Sequence, residues 1–171
     1  TENWKRDKKE IAELFKVFRF ALNILAKKFI KQGARLRILG EIDRFPKDIA
    51  QKSLEMIQQS KKNSQITVTF ALNYGGRNEI LRAVKKIVKE NIPVDKINEK
   101  LFSSHLDTSG IPDPDLIIRT GGDKRLSGYL PWQSGYSELY FTNTLFPDFT
   151  PEKLKTALKS FATRNRRFGG N

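Results

Sequence analysis

The chain has 171 residues, enough for one domain with a real core, because hydrophobic residues make up 38% of it and charged residues 30%. Lys and Arg number 32 against 19 Asp and Glu, a formal charge of +13, so anionic partners are expected: phosphates, nucleic acid or an acidic membrane surface. The lack of cysteine excludes disulfides, thiolate metal sites and a cysteine nucleophile, and no apolar run approaches the roughly 20 residues of a membrane-spanning helix.

Residues 1–6 are polar and contain Trp4. From Asp7 a helix is predicted, because Ile11, Leu14, Phe15, Phe18, Leu22, Leu25 and Phe29 recur at helical spacing and Gly33 is suited to end it. That stripe suits core packing; it also suits the wall of an apolar tunnel or a seam between helices. Residues 35–39 read as a strand with a loop, 40–44, at its carboxyl end. Pro46 opens a helix to about residue 60, with Ile49, Ser53, Met56 and Ile57 inward. Residues 66–72 are β-branched, aromatic and alternating, the clearest strand.

Asn73-Tyr74-Gly75-Gly76-Arg77 then leads into a helix with Ile80, Ala83, Val84, Ile87 and Val88 on one face. This junction is either an anion-binding helix N-terminus or a plain turn. Residues 94–102 read as a short helix capped by Asp95. His105, the only histidine, cannot build a metal cluster and is assigned a structural or surface role. Residues 116–118 and 139–141 are the third and fourth strands. Thr150-Pro151-Glu152 opens a last helix, with Leu154, Ala157, Leu158 and Phe161 inward. Strands alternating with helices imply an α/β fold: a single domain, residues 1–171, with a mostly parallel central sheet flanked by helices.

Residues 110–141 carry the chemistry. Arg119, Gly121, Gly122, Arg125 and Ser127 follow the third strand within nine residues. Arginine offers a planar fork of donors that matches phosphate oxygens, and glycine lets backbone N–H groups approach an anion. The bland alternative is that Gly121-Gly122 is a simple turn and the arginines are solvated. Glu138 is a lone carboxylate between Tyr136 and Tyr140, of the kind Mg²⁺ accepts beside a polyphosphate. No Walker A or GxGxxG pattern is present.

Six stretches in order carry a resemblance: ENWKR at 2–6, ALNYGGR at 71–77, PDPDLIIRTGGDKRLS at 112–127, WQSGYSELYF at 132–141, LFPDF at 145–149 and RRFGG at 166–170. Over nearly its whole length the chain resembles the cis-prenyltransferases, of which undecaprenyl diphosphate synthase is the bacterial type. The resemblance implies a Mg²⁺-dependent transferase that condenses isopentenyl diphosphate onto an allylic diphosphate, creating Z double bonds in a long-chain polyprenyl diphosphate. It implies a homodimer, a cytoplasmic place with peripheral contact at the inner membrane face, and no nucleic-acid partner.

By motif, the resemblance implies that Arg119, Arg125, Leu126 and Ser127 bind the incoming diphosphate and that Glu138 is the metal ligand. Asn3, Trp4 and Arg6 resemble a mobile loop beside the allylic substrate, with Asn3 as the catalytic candidate. A carboxamide has no useful pKa for a base, so Asn3 is expected to orient a diphosphate oxygen or a water that takes the proton. The RRFGG tail resembles a segment that completes a neighbouring subunit's site. Arg119, Arg125, Ser127 and Glu138 are expected to share one cavity.

The chain departs from the family pattern in lacking an upstream HxxDGNGRWA segment with its metal-binding Asp. The first strand and helix are therefore expected to be missing, and the chain to be an N-terminally truncated, nearly inactive fragment. Gly121 and Asp123 stand where Ser and Glu are frequent, and Gly128 where Asn is. The rival readings are a non-catalytic partner subunit of a heteromeric enzyme and a basic nucleic-acid-binding module. Retention of Arg119, Arg125, Ser127 and Glu138 argues against the first, and the lack of a reading motif against the second.

Overall fold

Asp7 starts the first helix by accepting the Lys9 N–H on its side chain at 2.8 Å. The computed structural model describes residues 7–165, so the expectations for Asn3, Trp4, Arg6 and the 166–170 tail lie outside the described residues. The chain divides into two compact units, Thr1–Asp107 and Thr108–Asn171.

The first unit opens with α1 (Lys8–Phe20), a π-helical segment (Ala21–Ala26) and α2 (Lys27–Lys31). Gly33 follows at φ +83°, the left-handed conformation that ends a helix. Next come β1 (Ala34–Leu39), α3 (Lys47–Gln59), β2 (Ile66–Ala71), α4 (Gly76–Lys89) and α5 (Glu99–Ser104). β1 and β2 pair in parallel from Ala34↔Ile66 to Leu39↔Ala71, with α3 as the crossover.

The aromatic stripe of α1 serves the core: Phe15, Phe18 and Leu22 pack on Phe45, Ile49 and Leu72, and the Phe15 and Phe18 rings meet Phe45 edge-on at 5.8 and 5.5 Å. A second cluster joins Ala26, Leu36 and Met56 to Phe29, Ile30 and Val68. Leu25, expected inward, is exposed. The π segment inserts residues into the helical turn and re-phases the stripe, so Ala26 takes the inward place.

Two further expectations are corrected. The buried stripe of α4 is Gly76, Glu79, Ala83 and Ile87, whereas Val84 and Val88 are exposed. Asp95 lies in a 3₁₀ turn (Val94–Lys96), and the cap of α5 is Asn98, whose Oδ1 accepts the Leu101 N–H at 2.9 Å.

The second unit contains β3 (Leu116–Arg119), β4 (Glu138–Phe141) and α6 (Pro151–Ala162). β3 and β4 pair in parallel from Leu116↔Glu138 to Arg119↔Phe141. Among the described residues the hydrogen-bonded ladders are these two parallel pairs, one in each unit. In α6 only Ala157 is buried; Leu154 and Leu158, expected inward, are exposed. Thr150 sits at the cap position without a side-chain cap bond, and its hydrogen bond instead holds the Glu152 carboxyl below its ordinary pKa. Among the described residues no helix is long and apolar enough to cross a membrane.

His105 closes α5. Its Nδ1 lies 2.8 Å from the Leu101 carbonyl oxygen and its Nε2 3.0 Å from a Glu90 carboxylate oxygen. Both partners are acceptors, so they favour the ring form in which both nitrogens donate, the imidazolium. The Leu101 bond and then the Glu90 bond raise its pKa above 6.5, against burial and the nearby Lys86 charge. A raised pKa means that this stabilisation is complete below the unfolded value and is lost as pH rises through the folded one. The thermal midpoint should therefore fall as pH rises above the ordinary histidine value, and His105→Gln should flatten that slope in the same melts. A slope unchanged in the variant would remove His105 as its source.

Candidate anion site

Arg119 ends β3, and its backbone carbonyl accepts the Thr142 N–H at 3.0 Å, which continues the ladder past β4. The loop that follows turns through Gly121 and Gly122 at φ +89° and +85°, conformations that residues with a Cβ adopt only under strain. It then brings its side chains back to Arg119. Arg119 Nη1 donates to Ser127 Oγ at 2.9 Å and to the Arg125 carbonyl, and Nη2 donates to Asp123 Oδ2 at 2.8 Å. Arg125 Nη2 donates to the same Asp123 oxygen at 2.7 Å. Ser127 itself is held at φ +49°, a left-handed conformation uncommon for a residue other than glycine, Asn or Asp. Leu126 is half-buried, and its carbonyl accepts the Tyr129 N–H at 2.9 Å, which shapes the turn.

Arg119, Arg125, Leu126 and Ser127 are thus one local cluster. The glycines act differently from expectation. The Gly121 N–H donates to the Thr144 carbonyl at 2.8 Å and the Gly122 N–H to the Thr142 carbonyl at 2.9 Å. Both donors are spent on backbone, so neither glycine N–H is left for an anion.

Glu138 does not join the cluster within its own chain. It pairs with Leu116, three residues before Arg119, a separation of roughly 10 Å at about 3.3 Å per residue. Three residues is an odd offset, so the pleat sends the Glu138 and Arg119 side chains to opposite faces of the strand pair. Glu138 is instead held by Arg164, whose Nη1 donates to Oε2 at 2.6 Å and to the Leu139 carbonyl at 3.0 Å.

No group of three or more His, Cys, Asp or Glu residues able to hold a metal exists among the described residues. The donors present fit Mg²⁺ in one way, as a cation carried on a diphosphate and met by a single carboxylate such as Glu138.

The first unit holds a network that the sequence reading missed. Glu79, 1% exposed, accepts from the Tyr74 hydroxyl at 2.5 Å and from the Asp107 N–H at 2.9 Å. Asp107 in turn takes Arg82 on both oxygens at 2.6 Å and the Gly40 N–H at 2.9 Å. The Asn73–Arg77 junction serves this scaffold: it aims Tyr74 at Glu79, and Asn73 Nδ2 donates to the Glu41 carbonyl at 2.9 Å.

Fold and site together define an α/β protein with a cluster of two arginines, an aspartate and a serine at the carboxyl end of a parallel strand. A family model described as "Putative undecaprenyl diphosphate synthase" matches residues 1–169. An isoprenyl transferase of Aquifex pyrophilus is 47% identical over 99% of this chain and 72% of its own length. One from Chlamydia muridarum is 41% identical over 99% of this chain and 68% of its own length.

Among solved structures, a probable undecaprenyl diphosphate synthase from Campylobacter jejuni superposes with a TM-score of 0.89 at 37% identity, covering 98% of this chain and 78% of that one. Lavandulyl diphosphate synthase from Lavandula x intermedia, solved with dimethylallyl diphosphate, gives 0.93 at 33% identity over 98% and 75%. The chain belongs to the undecaprenyl diphosphate synthase family of isoprenyl transferases, the cis-prenyltransferases. Its class is therefore that of a transferase acting in cis-prenyl chain elongation.

Proposed function

We propose that the chain serves Z-type condensation of isopentenyl diphosphate onto an allylic diphosphate, giving a long-chain polyprenyl diphosphate. The observation that carries this reading is the Arg119 guanidinium flanked by Ser127 Oγ and, through Asp123, by Arg125. Two forked cations and a hydroxyl suit the diphosphate of isopentenyl diphosphate, with Leu126 in the same loop as a further substrate-binding residue. Holding that headgroup fixes the alkene carbon against the allylic carbon. The alkene carbon bonds to the allylic carbon as pyrophosphate leaves, and a proton then departs from the isopentenyl unit. By the resemblance of the 2–6 stretch to the family, Asn3 is assigned to orient the diphosphate oxygen or water that takes this proton, and Trp4 and Arg6 to bind the allylic substrate. Mg²⁺, when bound, would supply neutralisation of the charge that grows on the leaving group. Glu138 is its proposed protein ligand, released from Arg164.

Because Glu138 and Arg119 face apart in one chain, a homodimer that brings Glu138 of one copy towards the diphosphate site of the other accommodates both roles. The surplus of Lys and Arg suits the anionic substrates and a peripheral contact with an acidic membrane surface.

The test joins this chain to the part of the Aquifex pyrophilus relative that the alignment leaves unmatched. The joined protein, given radiolabelled isopentenyl diphosphate, an allylic starter and Mg²⁺, should form Z-configured polyprenyl diphosphates. A folded joined protein without turnover would count against the assignment.

A further inference from the structure

The two arginines of the cluster already share an anion. One oxygen, Asp123 Oδ2, accepts from Arg119 Nη2 at 2.8 Å and from Arg125 Nη2 at 2.7 Å. A carboxylate oxygen between two guanidinium groups has the charge sign and acceptor geometry of a non-bridging phosphate oxygen. It therefore takes the donors that a diphosphate needs. Exposure separates the three groups. Arg119 is 25% exposed and tied by Ser127 and the Arg125 carbonyl as well, whereas Asp123 is 41% and Arg125 66% exposed. The carboxylate and Arg125 form the outer, yielding side of the cluster, and Arg119 the fixed side.

We propose that Asp123 is an internal counter-anion which a diphosphate must displace, and that it thereby sets the affinity of the site. This rests on the reading of Arg119, Arg125 and Ser127 as the diphosphate site. With Asp123 in place, the two guanidinium groups do not repel one another apart, and the cluster carries one net positive charge. An incoming anion meets a like charge at the centre of its own site. A single phosphate exchanges one set of hydrogen bonds for another and gains little. A diphosphate can replace the Asp123 oxygen between the arginines with one phosphoryl group and reach Ser127 Oγ with the other, so it alone recovers more than it displaces.

The experiment titrates inorganic pyrophosphate and inorganic phosphate, in metal-free buffer, into the 171-residue chain by calorimetry. Asp123→Asn keeps the size and an acceptor oxygen but removes the charge; Asp123→Glu keeps the charge. Asp123→Asn should bind pyrophosphate roughly tenfold tighter than the parent, as expected for one like charge removed a few ångströms away near a protein surface. Phosphate binding should tighten by a similar factor, because both anions displace the same carboxylate. Asp123→Glu should stay within about twofold of the parent, and all three proteins should melt alike.

Parent binding that Arg119→Ala abolishes but Asp123→Asn leaves equal or weaker would overturn the counter-anion role and leave the diphosphate site standing. Failure of both the parent and Asp123→Asn to bind pyrophosphate would overturn the site reading, and this inference with it.

Discussion

Arg119→Ala in the joined protein should lower kcat/KM for isopentenyl diphosphate by about 10²- to 10³-fold, the loss typical of one preorganised oxyanion donor. The side chain does two things at once. In the proposed site it offers a fork to the diphosphate, and it ties the loop back to β3 through Ser127 Oγ, Asp123 and the Arg125 carbonyl. Arg119→Lys keeps the charge but can satisfy only part of this set, because an ammonium lacks the planar fork. It should recover no more than a tenth of the loss. Arg125→Ala should cost only about tenfold, since its guanidinium is 66% exposed and a weakly held surface cation contributes less. Circular dichroism melts separate binding loss from loop collapse: Arg119→Ala should melt within a few degrees of the parent. Equal, small effects of Arg119→Ala and Arg125→Ala on kcat/KM would remove the cluster from the reaction.

What sequence could reveal divides along physical lines. β2 was legible because Ile66, Val68 and Phe70 alternate with threonines, a pattern only a strand uses well. The Arg119 cluster was legible because all its members lie within one short loop, so proximity in sequence guaranteed proximity in space. Gly121 and Gly122 were readable as a turn, but whether their N–H groups faced an anion or a carbonyl depended on the chain near Thr142 and Thr144. The separation of Glu138 from Arg119 depended on the β3–β4 register, which no local pattern encodes. Leu25 was misplaced because a π turn changes the helical phase without leaving a mark in residue spacing. Asp95 and Asn98 are equally good cap residues on paper; the Leu101 N–H, three residues after Asn98, decided between them. Glu79 shares the spacing of Ala83 and Ile87, but an acidic residue is rarely buried unless paired, and its partners Tyr74 and Asp107 are set by the fold.

That buried carboxylate belongs to the network where the largest stability effect is expected. Asp107→Ala should destabilise the first unit by about 3 kcal/mol, because it strands a partner charge in a largely buried place. The Arg82 and Asp107 side chains are 23% and 12% exposed and meet through two parallel bonds of 2.6 Å. The substitution also orphans the Gly40 N–H, at a position that cannot easily move. Gly40 has φ +98°, and a Cβ there would lie 2.2 Å from the Leu72 carbonyl oxygen, so the backbone is pressed against the end of β2. A loss of that size in a chain of this length corresponds to a fall in Tm of roughly 10 °C.

Arg82→Leu with Asp107→Ala should cost less than the sum of the single changes, because no unpaired guanidinium remains. Burial pushes the Asp107 carboxyl up, but the hydrogen bonds and charge of Arg82 outweigh it and hold the pKa below its ordinary value. A depressed carboxyl contributes stability above its unfolded pKa and loses it as pH falls through the folded one. The parent should therefore lose stability in acid more steeply than Asp107→Ala, and the two unfolding curves should draw together as pH falls below the ordinary carboxyl range. An Asp107→Ala protein that melts within 2 °C of the parent at neutral pH, a shift worth well under about 1 kcal/mol, would show that the Tyr74–Glu79–Asp107–Arg82 chain is not what holds the Gly40 loop to the ends of β1 and β2.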